Sequence, residues 1–279
     1  MSNGNQTYPF IANMKNHPEV IAHRGGNGEW PGETIGAYEH ARELKVDVIE
    51  MDIYLTSDHH LVLMHDRSVS KTTDGTREVH EYTLAEIQHL NAGYNWTPDN
   101  RTLPYGMKFA ELPPELRRKL HVPSLREVFD QFGDMRMIIE MKPAVCSPAA
   151  QLWSMLREYP QIIPNVLVAS FRDRYMNEFR RLSGGQVATS VSVIELLQLL
   201  LGLRGFEKPV RPCLVDAPHQ LLRRFLVKKF RRRGYAVHAW TVNKRPDMER
   251  MKNLGVDGII TDYPTRLRDV LGRSARAGR

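Results

Sequence analysis

The stretch VIAHRGGNGEWPGETIGAYEHARELKVDVIEMDIYLT, residues 20–56, decides how the chain is read. Val20, Ile21 and Ala22 form a short apolar run that predicts a strand, and the glycines after it predict a turn where backbone approaches something closely. Thr34 to Leu44 has amphipathic helical spacing, and a second apolar run, VDVIEMDIYLT, predicts another strand. Strand, helix and strand in this order form a βα unit whose strands run parallel. His23 and Arg24 stand at the exit of the first strand. An imidazole and a guanidinium in front of a glycine loop suit a phosphate, or simply end a strand with polar groups.

Working outward, the same alternation runs along almost the whole chain. Eight strand candidates are VIAHRG, VDVIEMDIYLT, MIIEMK, VLVAS, QVATSV, CLVDA, YAVHAWTVN and DGIITDYP, each followed by a helical pattern such as Pro246 to Leu254. Eight βα units predict an α/β fold of the closed (β/α)8 TIM-barrel type, with an open α/β sheet as the alternative. Residues from Arg67 to about Val122 break the pattern, rich in Thr, Asn, Pro and charge with a short helix near Leu84–Leu90. They read as an insertion after the second βα region, over one end of the barrel. The expected organisation is an N-terminal extension over 1–19, a barrel domain over 20–271 with the insertion at about 67–122, and a disordered basic tail over 272–279. No solenoid period is visible.

With 279 residues, 42% hydrophobic and 25% charged, the chain falls in the range of globular proteins. No leader-like segment and no run long enough to span a bilayer stands out, so the expected compartment is the cytoplasm, with membrane association as an option. Cys146 and Cys213 lie far apart without CxxC spacing, which argues against a disulfide framework or a structural zinc site. The net charge of +7 favours anionic partners. Part of it sits in LLRRFLVKKFRRRG, where Leu222, Phe225, Leu226 and Phe230 recur at helical spacing and Arg223, Arg224, Lys228 and Arg231 occupy other faces. That pattern reads as a solvated outer helix, or as a peripheral membrane contact. Nucleic-acid motifs are missing, and no oligomeric state is indicated.

In a barrel of this type, chemistry gathers where strands end. IEMDI places Glu50 and Asp52 on one face of a strand, and IIEMK places Glu140 and Lys142 on one face of another. Three carboxylates side by side repel, and a cation among them removes that cost. Hard oxygen donors without thiolate favour one divalent cation, Mg²⁺ or Ca²⁺, with Mn²⁺ as a third candidate. LVLMHD reads as a further short strand that pairs with the end of strand two across SDHH and delivers His65. Two imidazoles, a cation, Arg24 and Lys142 meet the needs of phosphodiester cleavage: a base, an acid and positive charge for the phosphoryl oxygens. His59, His60, His89 and His121 are read as structural.

The ordered blocks HRGGNGEWPGET, EMDIYLTSDHHLVLMHD, NAGY, VPSLREVF, IIEMK, AWTVN and GVDGIITDYPTRL resemble the signatures of the glycerophosphodiester phosphodiesterase family, from about Val20 to Leu271. The resemblance implies a TIM barrel with a small insertion, His23 and His65 as acid/base pair, Glu50, Asp52 and Glu140 as metal ligands, and Arg24 and Lys142 as phosphate contacts. Trp240 and Phe171 are candidate apolar walls for the substrate. HRGGNGE and TDYPTRLRDVL, with the leucine-rich VSVIELLQLLLGLRGF between strands five and six, resemble the lysophospholipase D branch, which releases choline or ethanolamine from lysophospholipids, while the leucine run by itself reads as a core helix or as an acyl-chain or membrane surface. One departure stands out: the usual Pro-Glu-Asn-Thr reads PGET here, with Gly32 and Glu33 in the central positions.

The activity expected is metal-dependent hydrolysis of glycerophosphodiesters to an alcohol and glycerol 3-phosphate by two-histidine catalysis. Lysophospholipase D action on a lysolipid is the first alternative. A non-catalytic barrel that binds lipid head groups or a membrane is the second.

Overall fold

The computed structural model describes residues 8–14, 18–97, 106–202 and 210–273. Its strands are β1 (Glu19–Ala22), β2 (Val48–Leu55), β3 (Leu61–Leu63), β4 (Met137–Met141), β5 (Val166–Ala169), β6 (Ala188–Thr189), β7 (Leu214–Pro218), β8 (Ala236–Trp240) and β9 (Gly258–Thr261). Apart from β3 they pair in parallel in the order β6-β5-β4-β2-β1-β9-β8-β7. A parallel bridge, Ser190↔Leu214, joins the two ends and closes the barrel. The open-sheet alternative is thereby set aside. β3 runs antiparallel to β2 through Ile53↔Leu63 and Leu55↔Leu61, as read from the LVLMHD segment.

The eight parallel strands are followed by α1 (Ile35–Glu43), α2 (Leu125–Phe132), α3 (Ala149–Glu158), α4 (Asp173–Ser183), α5 (Val193–Leu200), α6 (Arg224–Arg232), α7 (Arg245–Leu254) and α8 (Pro264–Val270). Local chemistry starts several of them. The Thr34 hydroxyl accepts from Ala37 N, and Ser124 with Glu127 and Ser192 with Glu195 form reciprocal capping boxes. Helix α2 buries Leu125, Val128, Phe129 and Phe132 on one stripe against the sheet. Each such fully buried side chain contributes roughly 1.5–3 kcal/mol through area removed from water.

Alternation along the strands divides the protein into two cores. Val20, Met51, Ile53, Ile139 and Val168 face outward into the layer beneath the helices. Ile21, Val48, Ile138, Leu167, Leu214 and Ile260 fill the lumen with Tyr8 and Phe10, so the segment before β1 plugs the barrel floor. Arg136 covers that plug, its guanidinium 4.3 Å from the centre of the Phe10 ring. One inward position further along the strands, the apolar layer gives way to Glu50, Glu140 and Asp216. The lumen is therefore apolar above the Glu19–Arg136 pair at its floor and polar at the opposite mouth, where the carboxylates gather.

The insertion carries its own small core of Val69, Val79, Tyr82, Ile87 and Val122, packed on Tyr54, Val62 and Met64. The helix expected near Leu84–Leu90 is one turn, Leu84–Ile87. Helix α6 differs from its expected apolar face. Val227 and Phe230 are its buried residues, whereas Phe225 is 67% exposed, because five positions from Phe230 it lies on the opposite side of the helix. Beyond Gly272 and Arg273, the basic tail lies outside the described residues, as does part of the leucine-rich segment.

The closure at β6 rests on a buried ion pair. Arg180 of α4 donates to both oxygens of Glu195 at 2.6 and 3.0 Å, to Thr189 Oγ1 at 3.0 Å and to Ser190 O at 2.7 Å. Arg180→Met leaves Glu195 charged and buried without this partner, at a cost of about 3–5 kcal/mol. In thermal unfolding this should appear as a fall in Tm of about 10 °C at neutral pH.

A second test uses Glu127. Burial opposes its ionisation, but hydrogen bonds with His121 and from Ser124 outweigh that and hold its pKa at about 2. A depressed carboxylate stabilises above its ordinary value of about 4.5, and the contribution is lost as pH falls towards 2. Glu127→Gln should lower Tm at pH 7, and the gap to the parent protein should close between those two pH values.

Candidate active site

The site forms where β1, β2, β3 and β4 end. Glu50 and Asp52 leave the inner face of β2, and parallel register sets Asp52 beside Glu140 on β4. One carboxylate oxygen from each of Glu50, Asp52 and Glu140 lies within 4.8 Å of the other two. Lys142 Nζ stands 2.9 Å from Asp52 Oδ1 and 2.8 Å from Glu140 Oε1, and Arg24 Nε stands 3.2 Å from Asp52 Oδ2. These ion pairs lack hydrogen-bond alignment, so the buried Asp52 Oδ1, Asp52 Oδ2 and Glu140 Oε1 retain unused acceptor capacity. Such a donor set fits a hard divalent cation, for which Glu50, Asp52 and Glu140 are the ligands at hand.

Burial and mutual repulsion set the charge of the cluster. Burial, with Asp52 and Glu33 nearby, pushes Glu50 well above the usual carboxylate range, and burial with Asp52 pushes Glu140 up to about 7. Asp52 moves the other way: burial opposes its charge, but Lys142, Arg24 and the two histidines outweigh it. Lys142 is likewise raised, since Asp52 and Glu140 overcome the cost of its burial.

The loop after β1 supplies the positive groups through strained backbone. Arg24 adopts φ 52°, a left-handed conformation uncommon for a non-glycine residue. Its amide thereby donates to Glu50 Oε2 at 3.0 Å while its guanidinium meets Asp52. Gly25 is required beside it, at φ 80°, because a Cβ there would lie 2.7 Å from that of Ala37 in α1.

The two histidines approach from different strands. His23 Nδ1 donates to Asp262 Oδ1 at 2.6 Å, and its Nε2 lies 4.0 Å from Glu50 Oε2. The ionised Asp262 fixes the proton on Nδ1 and leaves Nε2 as an acceptor facing the site. Asn243 in turn donates to Asp262 Oδ2 at 2.6 Å and accepts from Asp262 N. His65 follows β3, held near β2 by the Met64 N to Asp52 O bond, with Nδ1 3.4 Å from Asp66 Oδ2. Burial, then Arg24, lowers its pKa below the ordinary histidine value.

The mouth opens into a cavity of about 400 Å³ lined by His23, Arg24, Glu50, His65, Glu140, Lys142, Phe171 and Trp240. Asp52 completes the constellation from beneath, 1% exposed. Phe171 and Trp240 meet edge to face at 5.6 Å. Val191, Val193, Leu196, Leu197, Leu200, Pro218 and Leu221 extend the same wall, so one side of the cavity is charged and the other apolar.

Two acidic residues of the site, Asp262 and Asp216, escaped the sequence reading, and a third, Glu33, was visible there only as a departure. Asp262 was visible only as part of TDYP at the end of β9. Because Ala22 pairs with Thr261, the next residues, His23 and Asp262, leave neighbouring strands together. Asp216 lines the cavity from β7, with its Oδ1 unpartnered and its pKa pushed up to about 7 by burial and Glu140. Glu33, in the PGET departure, is buried at φ 61°. It accepts from Asp52 N at 2.9 Å and from Tyr38 OH at 2.7 Å, so the acid lies behind the cluster. At position 32 a Cβ would come within 2.6 Å of Asn27 Oδ1, an atom that the Gly32 amide itself binds.

A family model described as the glycerophosphoryl diester phosphodiesterase family matches residues 23–266. A glycerophosphodiester phosphodiesterase of Caldanaerobacter subterraneus subsp. tengcongensis is 32% identical over 89% of this chain and 95% of its own length. A lysophospholipase D of Mus musculus is 23% identical over 90% of this chain and 85% of its own. Among solved structures, an Oleispira antarctica phosphodiesterase in complex with the product sn-glycerol-3-phosphate superposes with TM-score 0.68 at 22% identity, covering 92% of this chain and 97% of that one.

The donor set predicts a direct readout. Mg²⁺, Ca²⁺ or Mn²⁺ added to metal-stripped protein should raise Tm with the logarithm of ion concentration above Kd, by the equivalent of about 2.7 kcal/mol at a hundred times Kd. Asp52→Asn should remove most of that rise. An unchanged Tm with every ion would contradict the assignment of these ligands.

Proposed function

Because this chain belongs to the glycerophosphoryl diester phosphodiesterase family, and is on that ground a phosphoric diester hydrolase, we propose that it cleaves glycerophosphodiesters to an alcohol and glycerol 3-phosphate, with His23 and His65 as its acid/base pair. The observation that carries this reading is the meeting of two imidazoles, three carboxylates, Arg24 and Lys142 at one barrel mouth. The product bound by the Oleispira antarctica phosphodiesterase, sn-glycerol-3-phosphate, is consistent with it.

The phosphate enters with its oxygens towards Arg24 and Lys142, whose charges offset its own. His23 Nε2, free to accept because Asp262 holds the Nδ1 proton, takes a proton from the attacking hydroxyl. That hydroxyl is water or the glycerol hydroxyl of the substrate, the latter giving a cyclic phosphate that a second attack, by water, opens to glycerol 3-phosphate. The new phosphorus–oxygen bond forms as the bond to the departing alcohol breaks, and His65, protonated once the negative phosphate beside it offsets its burial and Arg24, delivers a proton to that alcohol. A divalent cation on Glu50, Asp52 and Glu140, Mg²⁺ or Ca²⁺ in this reading with Mn²⁺ as substitute, supplies Lewis-acid stabilisation of the phosphoryl oxygens. Phe171 and Trp240 wall the organic part of the substrate.

The apolar side of the cavity supports a second reading, lysophospholipase D action, in which Leu196, Leu197, Leu200 and Leu221 accommodate a lipid chain. The non-catalytic barrel does not stand beside membership in a family of hydrolases.

³¹P NMR on protein with metal restored distinguishes the substrates. Glycerol 3-phosphate from glycerophosphocholine supports the first reading, and lysophosphatidic acid or its cyclic form mainly from lysophosphatidylcholine supports the second. His23→Ala and His65→Ala should each lower kcat by about 10²- to 10⁴-fold with the fold intact by circular dichroism. Near-normal turnover in His23→Ala would overturn the scheme. Asp262→Asn, which still reaches His23 without its charge, should lower kcat with little change in KM.

A further inference from the structure

Apolar exposure in this protein is concentrated on one face. Among the described residues, the large apolar side chains that stand exposed lie where the chain leaves the C-terminal ends of β4, β5, β6 and β7. Around α5 they are Ile194 (53%), Leu197 (54%) and Leu201 (76%), and before and within α6 they are Leu221 (53%) and Phe225 (67%). Contiguous exposure of this kind marks an interaction surface, since hydration of such a patch is unfavourable. The opposite side of α5 is accounted for by buried Glu195 and Leu199, so the exposed stripe is not a core face awaiting its own sheet.

Two features identify the occupant. The patch is continuous with the cavity, because Leu197 and Leu221 also line its apolar wall while Ile194, Leu201 and Phe225 lie outside it. Charge adds the second. Between Leu196 and Lys244 the described chain carries one acidic residue, Asp216, which faces the cavity, whereas Arg223, Arg224 and Lys228 are exposed beside Leu221 and Phe225. Apolar side chains flanked on one side by cations suit the boundary between acyl chains and anionic head groups. No helix among the described residues is long and apolar enough to cross a membrane, so this contact is a surface one.

We propose that the rim formed by Ile194, Leu197, Leu201, Leu221 and Phe225, flanked by Arg223, Arg224 and Lys228, docks the barrel mouth onto an anionic lipid bilayer. Docking turns the apolar side of the cavity towards the acyl layer, so that a single-chain lipid phosphodiester passes from the bilayer into the site without crossing water. This deepens, and rests on, the reading of the mouth as a phosphodiester site.

The test is flotation of the full-length protein with phosphatidylcholine vesicles, with and without about a third phosphatidylglycerol. Binding should require the anionic lipid, weaken with added salt, and fall about tenfold in the triple variant Ile194→Glu/Leu201→Glu/Phe225→Glu. Glycerophosphocholine hydrolysis in solution should be unchanged in that variant, while hydrolysis of lysophosphatidylcholine held in anionic vesicles should fall with binding. Absence of binding by the parent protein, or equal binding by the triple variant, would overturn the proposal. So would self-association that the triple variant abolishes, which would show a second copy on this face. A parent protein that turns over glycerophosphocholine in solution but does not bind the vesicles would refute docking alone; a parent protein that binds them without turnover of any diester would refute the phosphodiesterase reading alone.

Discussion

Carboxylates crowded into a poorly hydrated barrel mouth repel one another, and the local backbone is shaped to contain that repulsion. Glu33, Glu50, Asp52 and Glu140 converge within the reach of two strands and one loop. Arg24 and Glu33 both take left-handed conformations that are unfavourable for L-residues, each costing of order 1–3 kcal/mol. In return Arg24 offers Glu50 an amide and Asp52 a guanidinium, and Glu33 caps the amide of Asp52 from behind. The result is four carboxylates facing two cations, with Glu50 and Glu140 held above the usual carboxylate range so that a bound divalent cation would draw them into the charged form, a disposition suited to holding a cation and then a phosphate.

The fold was legible because its signal is repeated. Eight apolar runs, each with a helical pattern after it, leave little room for another architecture, and the short β3 was visible because His65 and Asp66 mark its end. What the pattern did not settle was which of several apolar residues in one helix face the sheet. Phe225 lies three positions from Leu222 but five from Phe230, so it points about 140° away from Phe230 around the helix axis, and with Val227 and Phe230 buried its ring turns outward. A set of apolar residues that spans more than one stripe does not by itself choose between the stripes.

For the site, same-face spacing within a strand was enough to associate Glu50 with Asp52 and Glu140 with Lys142. The link between the two pairs needed the β2–β4 register, which a sequence does not display. Asp262 was missed for the same reason: it lies 239 positions from the histidine it orients, and only the adjacency of β1 and β9 brings them together. Glu33 was legible as a departure, but not in its effect. Its carboxylate turns inward because the backbone is left-handed there, a property no neighbouring residue announces.

Barrel closure has a mechanical side. β2 and β4 are paired continuously from Ile49↔Met137 to Ile53↔Met141, whereas β6 meets β5 at Ala188 and Thr189 and meets β7 through the Ser190↔Leu214 bridge. Resistance to local opening follows the density of such bonds. The barrel is therefore stiff along the strands that hold the carboxylates and compliant at the seam that carries the apolar wall, where the Arg180–Glu195 pair substitutes for missing strand ladder. In the proposed reaction, compliance on that side would let the wall adjust to departing alcohols of different bulk, while the groups assigned to the phosphate keep their spacing.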